Sequence, residues 1–223
     1  DHVNHEWLMK CLEQRIADPN IKRLITRLLK AGIMVNSKWE PSEEGTVQGG
    51  SISPLLANIY LHFVLDLWFD RVVKKNCRGE AAIIRYCDDF VCCFQYKEDA
   101  EKFYLELKQR LAKFGLEIAQ EKSKVIAFGR FAEANCKKKA MRKPDTFDFL
   151  GFTHYCSKSK NGRFRVKRRT SSKKFKAKVK AFKMWIQKAR HQDIKDIWEK
   201  VHLKLNGHYR YYGITDNSEM LHK

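Results

Sequence analysis

The chain has 223 residues, of which 43% are apolar and 12% aromatic, so it can form a hydrophobic core and general disorder is excluded. Its 45 Lys and Arg against 26 Asp and Glu give a formal net charge of +19, which favours a polyanionic partner. No uncharged apolar run reaches the length of a membrane span, so no membrane partner is expected.

The chain opens on two predicted helices, over residues 5–16 and 20–30, each with apolar residues at helical spacing. Short extended pieces are expected over 33–47. A third helix is predicted to begin at Ser53-Pro54, because a hydroxyl caps free N–H groups and proline needs no N–H donor. Apolar residues then recur at helical spacing and predict burial until about residue 73: Leu56, Ile59, Phe63 and Leu67.

Two apolar, β-rich runs over 81–87 and 90–95 flank Asp88-Asp89, which is the pattern of a hairpin. An amphipathic helix over 100–114 is predicted to follow.

The second half of the chain predicts a strand over 125–128, a basic linker over 135–145 and paired strands over 147–156 and 163–169. A helix is expected after residue 172, with an apolar stripe formed by Phe175, Val179, Phe182, Ile186 and Ala189.

Seven cysteines are present, without the spacing of a zinc site or of a disulfide framework. We expect reduced thiols in a cytoplasmic, intracellular protein, mostly packed as small apolar side chains.

The pair Asp88-Asp89 is the first candidate for chemistry. Adjacent carboxylates at a tight turn repel each other, and a divalent cation such as Mg²⁺ relieves that repulsion through hard oxygen ligands. Two such ions can hold the attacking and the leaving oxygens in nucleotidyl transfer. The alternative is that aspartate is simply a common turn residue.

The second candidate is the loop Gln48-Gly49-Gly50 ahead of the third helix. Glycines let the backbone approach a ligand closely, and the Gln48 side chain can hydrogen-bond a nucleotide or template edge. An ordinary loop before a helix is the alternative.

Five segments, in this order along the chain, resemble the reverse transcriptases encoded by group II introns. Gly45–Tyr60 resembles their motif B, Tyr86–Asp89 motif C, Glu121–Lys124 motif D and Phe149–Phe152 motif E. The late segment Leu205–Gly213 is similar to the thumb, or domain X, of these intron-encoded maturases.

The resemblance implies an α+β fold of the right-hand polymerase type. Residues 1–157 would form the palm, with an antiparallel sheet packed on helices, and residues 158–223 a basic, mainly helical thumb. The implied activity is RNA-directed DNA polymerisation with Mg²⁺ as cofactor. The implied partners are group II intron RNA, an RNA template with a DNA primer, and dNTP.

The resemblance also assigns roles to individual residues. Asp88 and Asp89 would bind the metal and act in catalysis together with Lys122, whose alternative is a solvated surface lysine. The remaining assignments are nucleotide and template binding by Gln48, Gly49, Gly50 and Tyr86, and a primer grip formed by Phe149, Leu150 and Gly151.

Two departures from the family pattern affect these expectations. Cys87 stands where family members commonly have alanine, which puts an oxidisable thiol beside the primer end. Asp1 aligns with the aspartate of a Phe-Asp that follows the catalytic aspartate of motif A by a few residues. We therefore expect that carboxylate and the fingers region upstream, and little polymerase activity from these 223 residues alone. We also expect domain X to be truncated at its C-terminus, without a DNA-binding or endonuclease segment after it.

The basic residues are concentrated at the end of the chain, where residues 156–223 carry +15 of the net charge and residues 1–155 only +4. We expect RNA binding by Arg163, Arg165, Lys167, Arg168, Arg169, Lys173, Lys174 and Lys176. A solvated lysine-rich surface is the alternative. The late aromatics Trp198, Tyr209, Tyr211 and Tyr212 could stack on bases, although such residues more often belong to a core.

The leading interpretation is thus a group II intron reverse transcriptase. An RNA-binding splicing maturase with a vestigial polymerase site is the alternative. A reverse transcriptase of another lineage, such as a retron, is disfavoured by the motif B segment and by the domain X-like tail.

Overall fold

The computed structural model describes residues 3–30, 33–35, 38–40, 52–138 and 143–222, without the side chains of 33–35 and 38–40. The predicted mixture of helices and antiparallel strands is confirmed. The chain forms two compact units, residues 1–125 and 126–223.

The first unit consists of helices around one hairpin. Its elements are α1 (His5–Glu13), α2 (Pro19–Lys30), β1 (Ile33–Val35), β2 (Lys38–Glu40), α3 (Ser53–Leu61), the π-helical segments π1 (His62–Asp66) and π2 (Phe69–Val73), α4 (Lys74–Asn76), β3 (Ala81–Tyr86), β4 (Asp89–Phe94) and α5 (Lys97–Lys113).

The helix start at Ser53-Pro54 is confirmed, but the capping role predicted for Ser53 is wrong. Ser53 is the first helical residue, and Ile52 occupies the cap position without a side-chain hydrogen bond. Pro54 lies in the first turn, where its missing N–H group costs nothing.

Helix α3 continues through π1 and π2 to α4 and forms the centre of the first unit's core. Its most buried residues are Leu56, Tyr60, Val64, Leu65, Phe69 and Val73. Of the predicted stripe, Leu56 is buried, whereas Ile59, Phe63 and Leu67 are only partly buried. The buried positions follow a four-residue spacing from Leu56 to Val64, and the π-helical turn moves them by one residue, so that Leu65, Phe69 and Val73 continue the buried face.

Strands β3 and β4 form the predicted hairpin, pairing from Ala81 with Phe94 to Tyr86 with Asp89. The face of the hairpin with Ile83 packs on the core, while Ile84 and Tyr86 on the other face are 60% and 62% exposed. Helix α5 covers the core with Phe103, Leu107 and Leu111.

Tyr60 links α3 to the end of α5. It is fully buried, and its hydroxyl donates to the carbonyl oxygen of Phe114 at 2.8 Å. Burial raises the pKa of Tyr60 to about 12, so the hydroxyl keeps its proton and remains a donor.

The second unit is a three-stranded antiparallel sheet, in the order β5-β6-β7, with helices before and after it. Its elements are α6 (Ala132–Lys138), β5 (Phe147–Phe149), β6 (Phe152–Lys158), β7 (Phe164–Thr170), α7 (Ser172–Ala189), α8 (Ile194–Tyr212) and α9 (Ser218–Leu221).

Three predictions for residues 125–156 need correction. Residues 125–128 are irregular and not a strand, and the predicted linker over 135–145 begins inside α6. The predicted strand over 147–156 is divided into β5 and β6, because Leu150 and Gly151 take positive φ angles of 49° and 79° and form a turn.

The apolar stripe of α7 is present but only its last member, Ala189, is buried within the described part of the chain. The domain boundary predicted between residues 157 and 158 falls inside the second unit, at the end of β6. The division into palm and thumb stays a prediction. Among the helices that the structure describes, none is both long and apolar enough to cross a membrane.

Candidate functional site

The acidic pair lies at the tip of the β3–β4 hairpin. Tyr86 pairs with Asp89, so Cys87 and Asp88 form a two-residue loop. Cys87 has a φ of 54°, in the left-handed region that favours glycine. Both carboxylates are exposed, so they are available to a ligand.

The hairpin tip is attached to the long helix of the first unit through Arg85. Arg85 Nη1 donates to the Cys87 carbonyl oxygen at 2.7 Å and to Asn58 Oδ1 at 2.8 Å. Arg85 Nε and Nη2 donate to the two carboxylate oxygens of Asp66 at 2.8 and 2.6 Å. The hydrogen bond to Asp66 raises the pKa of Arg85, which therefore stays charged.

These partners of the tip were missed by the sequence analysis, although a signal for Arg85 was present. In a strand, alternate residues face the same side, so Arg85 shares the core face with Ala81 and Ile83. An arginine on that face needs a partner, because an unpaired buried charge is strongly disfavoured.

The glycine loop of Gln48, Gly49 and Gly50 lies outside the described residues. The helix that follows it is described, and that helix contacts the acidic tip. Asn58 Nδ2 donates to the Pro54 carbonyl oxygen at 3.0 Å and lies 4.0 Å from Cys87 Sγ. The first two turns of α3 and the motif C turn are therefore neighbours.

The carboxylate oxygens at the tip are the kind of ligand that a hard divalent cation prefers. Mg²⁺ is commonly bound by one or two carboxylates, with water or substrate phosphate oxygens completing the octahedron. In the residues that the structure describes, no group of three or more His, Cys, Asp and Glu could hold a metal ion. Asp88 and Asp89 thus supply two acidic ligands, and other oxygens must supply the rest.

The other residues assigned to chemistry in the first unit are both exposed. Tyr86 lies on the outer face of the hairpin, opposite the core. Lys122 lies in a turn, where its N–H donates to the Ala119 carbonyl oxygen at 3.0 Å. Within the described residues Lys122 forms no ion pair with Asp88 or Asp89.

In the second unit, the motif E turn is held by the end of α8. Tyr211 Oη donates to the Leu150 carbonyl oxygen at 2.8 Å. A Cβ at Gly151 would lie 2.9 Å from Tyr212 Oη, so the close approach requires glycine. Phe149 pairs with Phe152, whose ring stacks on Tyr211 with centroids 5.7 Å apart. The motif E and domain X-like segments, separate in sequence, thus form one local structure.

The proposed RNA-binding residues lie on the edge strand β7, immediately before it in the case of Arg163, and at the start of α7. Arg163, Arg165, Arg168, Arg169, Lys173, Lys174 and Lys176 are exposed, and Lys167 is half-buried. Arg165 Nη2 forms an ion pair with Asp216 at 3.1 Å. Edge strands often carry basic residues that prevent sheet-to-sheet association, so this feature alone does not identify a ligand.

The late aromatic residues divide into two groups. Tyr212 is buried, at 3% exposure, and belongs to the core of the second unit. Trp198, Tyr209 and Tyr211 are 63%, 47% and 51% exposed. Of these four aromatic residues, only Tyr212 is a core residue.

Comparison with known proteins gives a family match and several partial relatives. Residues 1–154 match the family described as reverse transcriptase (RNA-dependent DNA polymerase). The group II intron-encoded protein LtrA of Lactococcus lactis subsp. cremoris is 44% identical over 86 residues, which cover 36% of this chain and 14% of that protein. These findings confirm the resemblance seen in the motifs.

Two further relatives match with lower sequence identity. Protein YkfC of Escherichia coli K12 is 34% identical over 116 residues, which cover 41% of this chain and 30% of that protein. An uncharacterized 91 kDa protein in the cob intron of Schizosaccharomyces pombe is 39% identical over 62 residues, which cover 28% of this chain and 8% of that protein. The chain spans less than a third of the length of these relatives.

Proposed function

Because the chain belongs to the reverse transcriptase family, we propose that its protein is the RNA-directed DNA polymerase of a group II intron. The observation that carries the proposal is the exposed Asp88-Asp89 pair, held beside the helix that follows the glycine loop. Polymerisation needs metal-binding carboxylates next to a nucleotide pocket. In this family the motif C pair supplies the carboxylates, and the motif B glycine loop lines the pocket.

In this proposal Asp88 and Asp89 hold Mg²⁺, which would activate the primer 3′-oxygen and neutralise charge on the leaving phosphate oxygens. The hairpin tip fixes the two carboxylates, and Gln48, Gly49, Gly50 and Tyr86 contact the incoming dNTP and the template base. Lys122 is the proposed proton donor to departing pyrophosphate, because an ammonium group near a triphosphate also offsets its charge.

The second unit would hold the primer and the RNA. Phe149, Leu150 and Gly151 form a turn whose shape suits close approach of a sugar–phosphate backbone. The exposed arginines and lysines of β7 and α7 suit phosphate contacts, which provide affinity without base recognition. The partners proposed are intron RNA and an RNA template paired with a DNA primer.

A second candidate function is a splicing maturase whose polymerase site is vestigial. The basic edge strand and the exposed aromatics of the second unit favour RNA binding in either case. The paired carboxylates favour the polymerase, because an RNA chaperone has no use for them.

Primer extension with the full-length protein tests the proposal. We expect a DNA primer annealed to an RNA template to be extended with the complementary dNTPs in the presence of Mg²⁺, and extension to stop when EDTA removes the cation. A protein that binds intron RNA but incorporates no nucleotide with Mg²⁺ or Mn²⁺ would contradict the polymerase and support the maturase.

A further inference from the structure

The loop that carries the acidic pair has a strained backbone. Cys87 is not glycine, yet its φ of 54° lies in the left-handed region, where a Cβ is disfavoured. Such a conformation persists only where surrounding contacts hold it. Whatever holds Cys87 also determines where the following residues, Asp88 and Asp89, direct their carboxylates.

Besides the pairing of Tyr86 with Asp89, a hydrogen bond from Arg85 holds this loop. Its Nη1 donates to the Cys87 carbonyl oxygen at 2.7 Å, the oxygen of the peptide bond that leads into Asp88. The same nitrogen donates to Asn58 Oδ1 at 2.8 Å, which ties the loop to α3. Rotation of the Cys87–Asp88 peptide would break the first of these bonds.

Arg85 is itself fixed in position. Asp66, at the end of π1, accepts from Nε at 2.8 Å and from Nη2 at 2.6 Å, so the guanidinium is held in one plane. The Arg85 side chain is only 12% exposed, which reduces competition from water. His62 Nδ1 lies 3.5 Å from the same Asp66 carboxylate and adds a further contact to the group.

We propose that Arg85, held by Asp66 and Asn58, is a positioning residue that fixes the strained Cys87–Asp88 loop and thereby aims the two metal-binding carboxylates. The inference rests on the proposed polymerase function for its catalytic consequence, but its structural part does not. Arg85 does not itself touch substrate. It acts through the peptide carbonyl of Cys87, and lysine cannot replace it, because one ammonium group cannot reach Asp66, Asn58 and Cys87 together.

The test is Arg85→Lys in the full-length protein, which keeps the positive charge and removes the planar set of donors. We expect kcat for primer extension to fall by about tenfold, while KM for dNTP changes by less than about twofold, because binding groups outside the loop are intact. Asp66→Asn, which leaves Arg85 present without its charged partner, should lower kcat in the same direction.

A matched control is Arg110→Lys. Arg110 is also half-buried, and its Nε donates to a backbone carbonyl oxygen of the same long helix, that of Val64, at 3.0 Å. It lies on α5, where its guanidinium contacts the Val64 carbonyl oxygen and the rings of Trp68 and Phe114. If loss of stability alone lowered kcat, Arg110→Lys would lower it as much as Arg85→Lys.

Two further readouts separate positioning from a general structural role. Hydrogen exchange of the amides in residues 85–90 should become faster in Arg85→Lys and stay unchanged in Arg110→Lys. Adding Cys87→Gly to Arg85→Lys should restore part of kcat, because glycine adopts the positive φ without strain. Unchanged kcat and exchange in Arg85→Lys, an equal loss in Arg110→Lys, or no rescue by glycine would each overturn the inference.

Failure of the proposed function gives a different result. If the protein is not a polymerase, no variant shows primer extension, yet exchange in the loop still responds to Arg85→Lys. If only the inference fails, the wild-type protein extends primers and neither exchange nor kcat responds specifically to Arg85→Lys.

Discussion

Asp88→Asn should lower the rate of cDNA synthesis by at least about a thousandfold in the full-length protein, equivalent to about 4 kcal/mol of transition-state stabilisation. The substitution keeps the size of the side chain but removes its negative charge and one carboxylate oxygen. Asparagine can therefore occupy the same exposed place at the hairpin tip without binding Mg²⁺ tightly. Steady-state primer extension on an RNA template measures the change.

The matched control is Asp70→Asn. Asp70 is also an exposed aspartate of the first unit, with its carboxylate 3.6 Å from Lys74 Nζ on the surface of π2. Its substitution should leave the rate unchanged, since exposed ion pairs contribute little. A decrease of less than about tenfold in Asp88→Asn would show that this carboxylate does not bind the catalytic cation.

The same variant distinguishes the two candidate functions. If the protein both copies and folds intron RNA, Asp88→Asn loses cDNA synthesis and keeps splicing and RNA binding, because the basic residues of β7 are unchanged. If splicing is lost together with synthesis, the acidic tip also has a role in RNA folding.

Asn217→Ala should lower the free energy of unfolding by about 3 kcal/mol. Asn217 is fully buried, and its Oδ1 accepts from the Thr170 N–H at 2.7 Å. Its Nδ2 donates to the Tyr212 carbonyl oxygen at 2.8 Å and to Thr170 Oγ1 at 2.9 Å. Alanine leaves the buried Thr170 N–H without this acceptor and removes one of the two hydrogen bonds to the Tyr212 carbonyl oxygen, which keeps the bond from the Ile214 N–H.

Urea denaturation of the 223-residue chain, followed by tryptophan fluorescence, measures this effect. Asn206→Ala is the control, because Asn206 is exposed on α8 and should change the free energy of unfolding by less than about 0.5 kcal/mol. Equal changes in the two variants would mean that the Asn217 network does not stabilise the second unit.

The Asn217 contacts also bear on the motif E turn. They join the end of β7 to the end of α8, next to the two tyrosines that hold Leu150 and Gly151. In the full-length protein, Asn217→Ala is therefore expected to weaken primer binding more than dNTP binding.

The hairpin and its acidic tip were predictable from sequence because strand patterning is local. Two short apolar, β-rich runs on either side of Asp88-Asp89 left few other structures for residues 81–95, and the two strands pair as a hairpin. The family resemblance rests on motifs of the same local kind and is confirmed by the match over residues 1–154.

The contacts that hold the tip were not predictable in the same way. Arg85 and Asp66 are 19 positions apart, and their meeting depends on how α3 and π1 are rotated against the hairpin. The π-helical segments change that rotation and shift the buried positions by one residue, from the series that ends at Val64 to the series that begins at Leu65. A regular helical period cannot anticipate such a shift.

The contacts of the second unit were not predictable either, because they join residues far apart in sequence. Asn217 and Thr170 are 47 positions apart, and nothing in the local pattern marks an asparagine near the C-terminal end as fully buried. The apolar stripe of α7 shows a different limit of the sequence. Periodicity predicts an apolar face, but it does not predict whether another element covers that face.

The central claim is that Asp88 and Asp89 bind the divalent cation used in nucleotide transfer. Diffraction from crystals of the full-length protein with primer, RNA template, dNTP and Mn²⁺, recorded at the manganese absorption edge, tests it most directly, since Mn²⁺ takes the same oxygen ligands as Mg²⁺. We predict an anomalous peak bonded to a carboxylate oxygen of Asp88, with Asp89 beside it. Manganese bound at other carboxylates, with no peak at the hairpin tip, would contradict the claim.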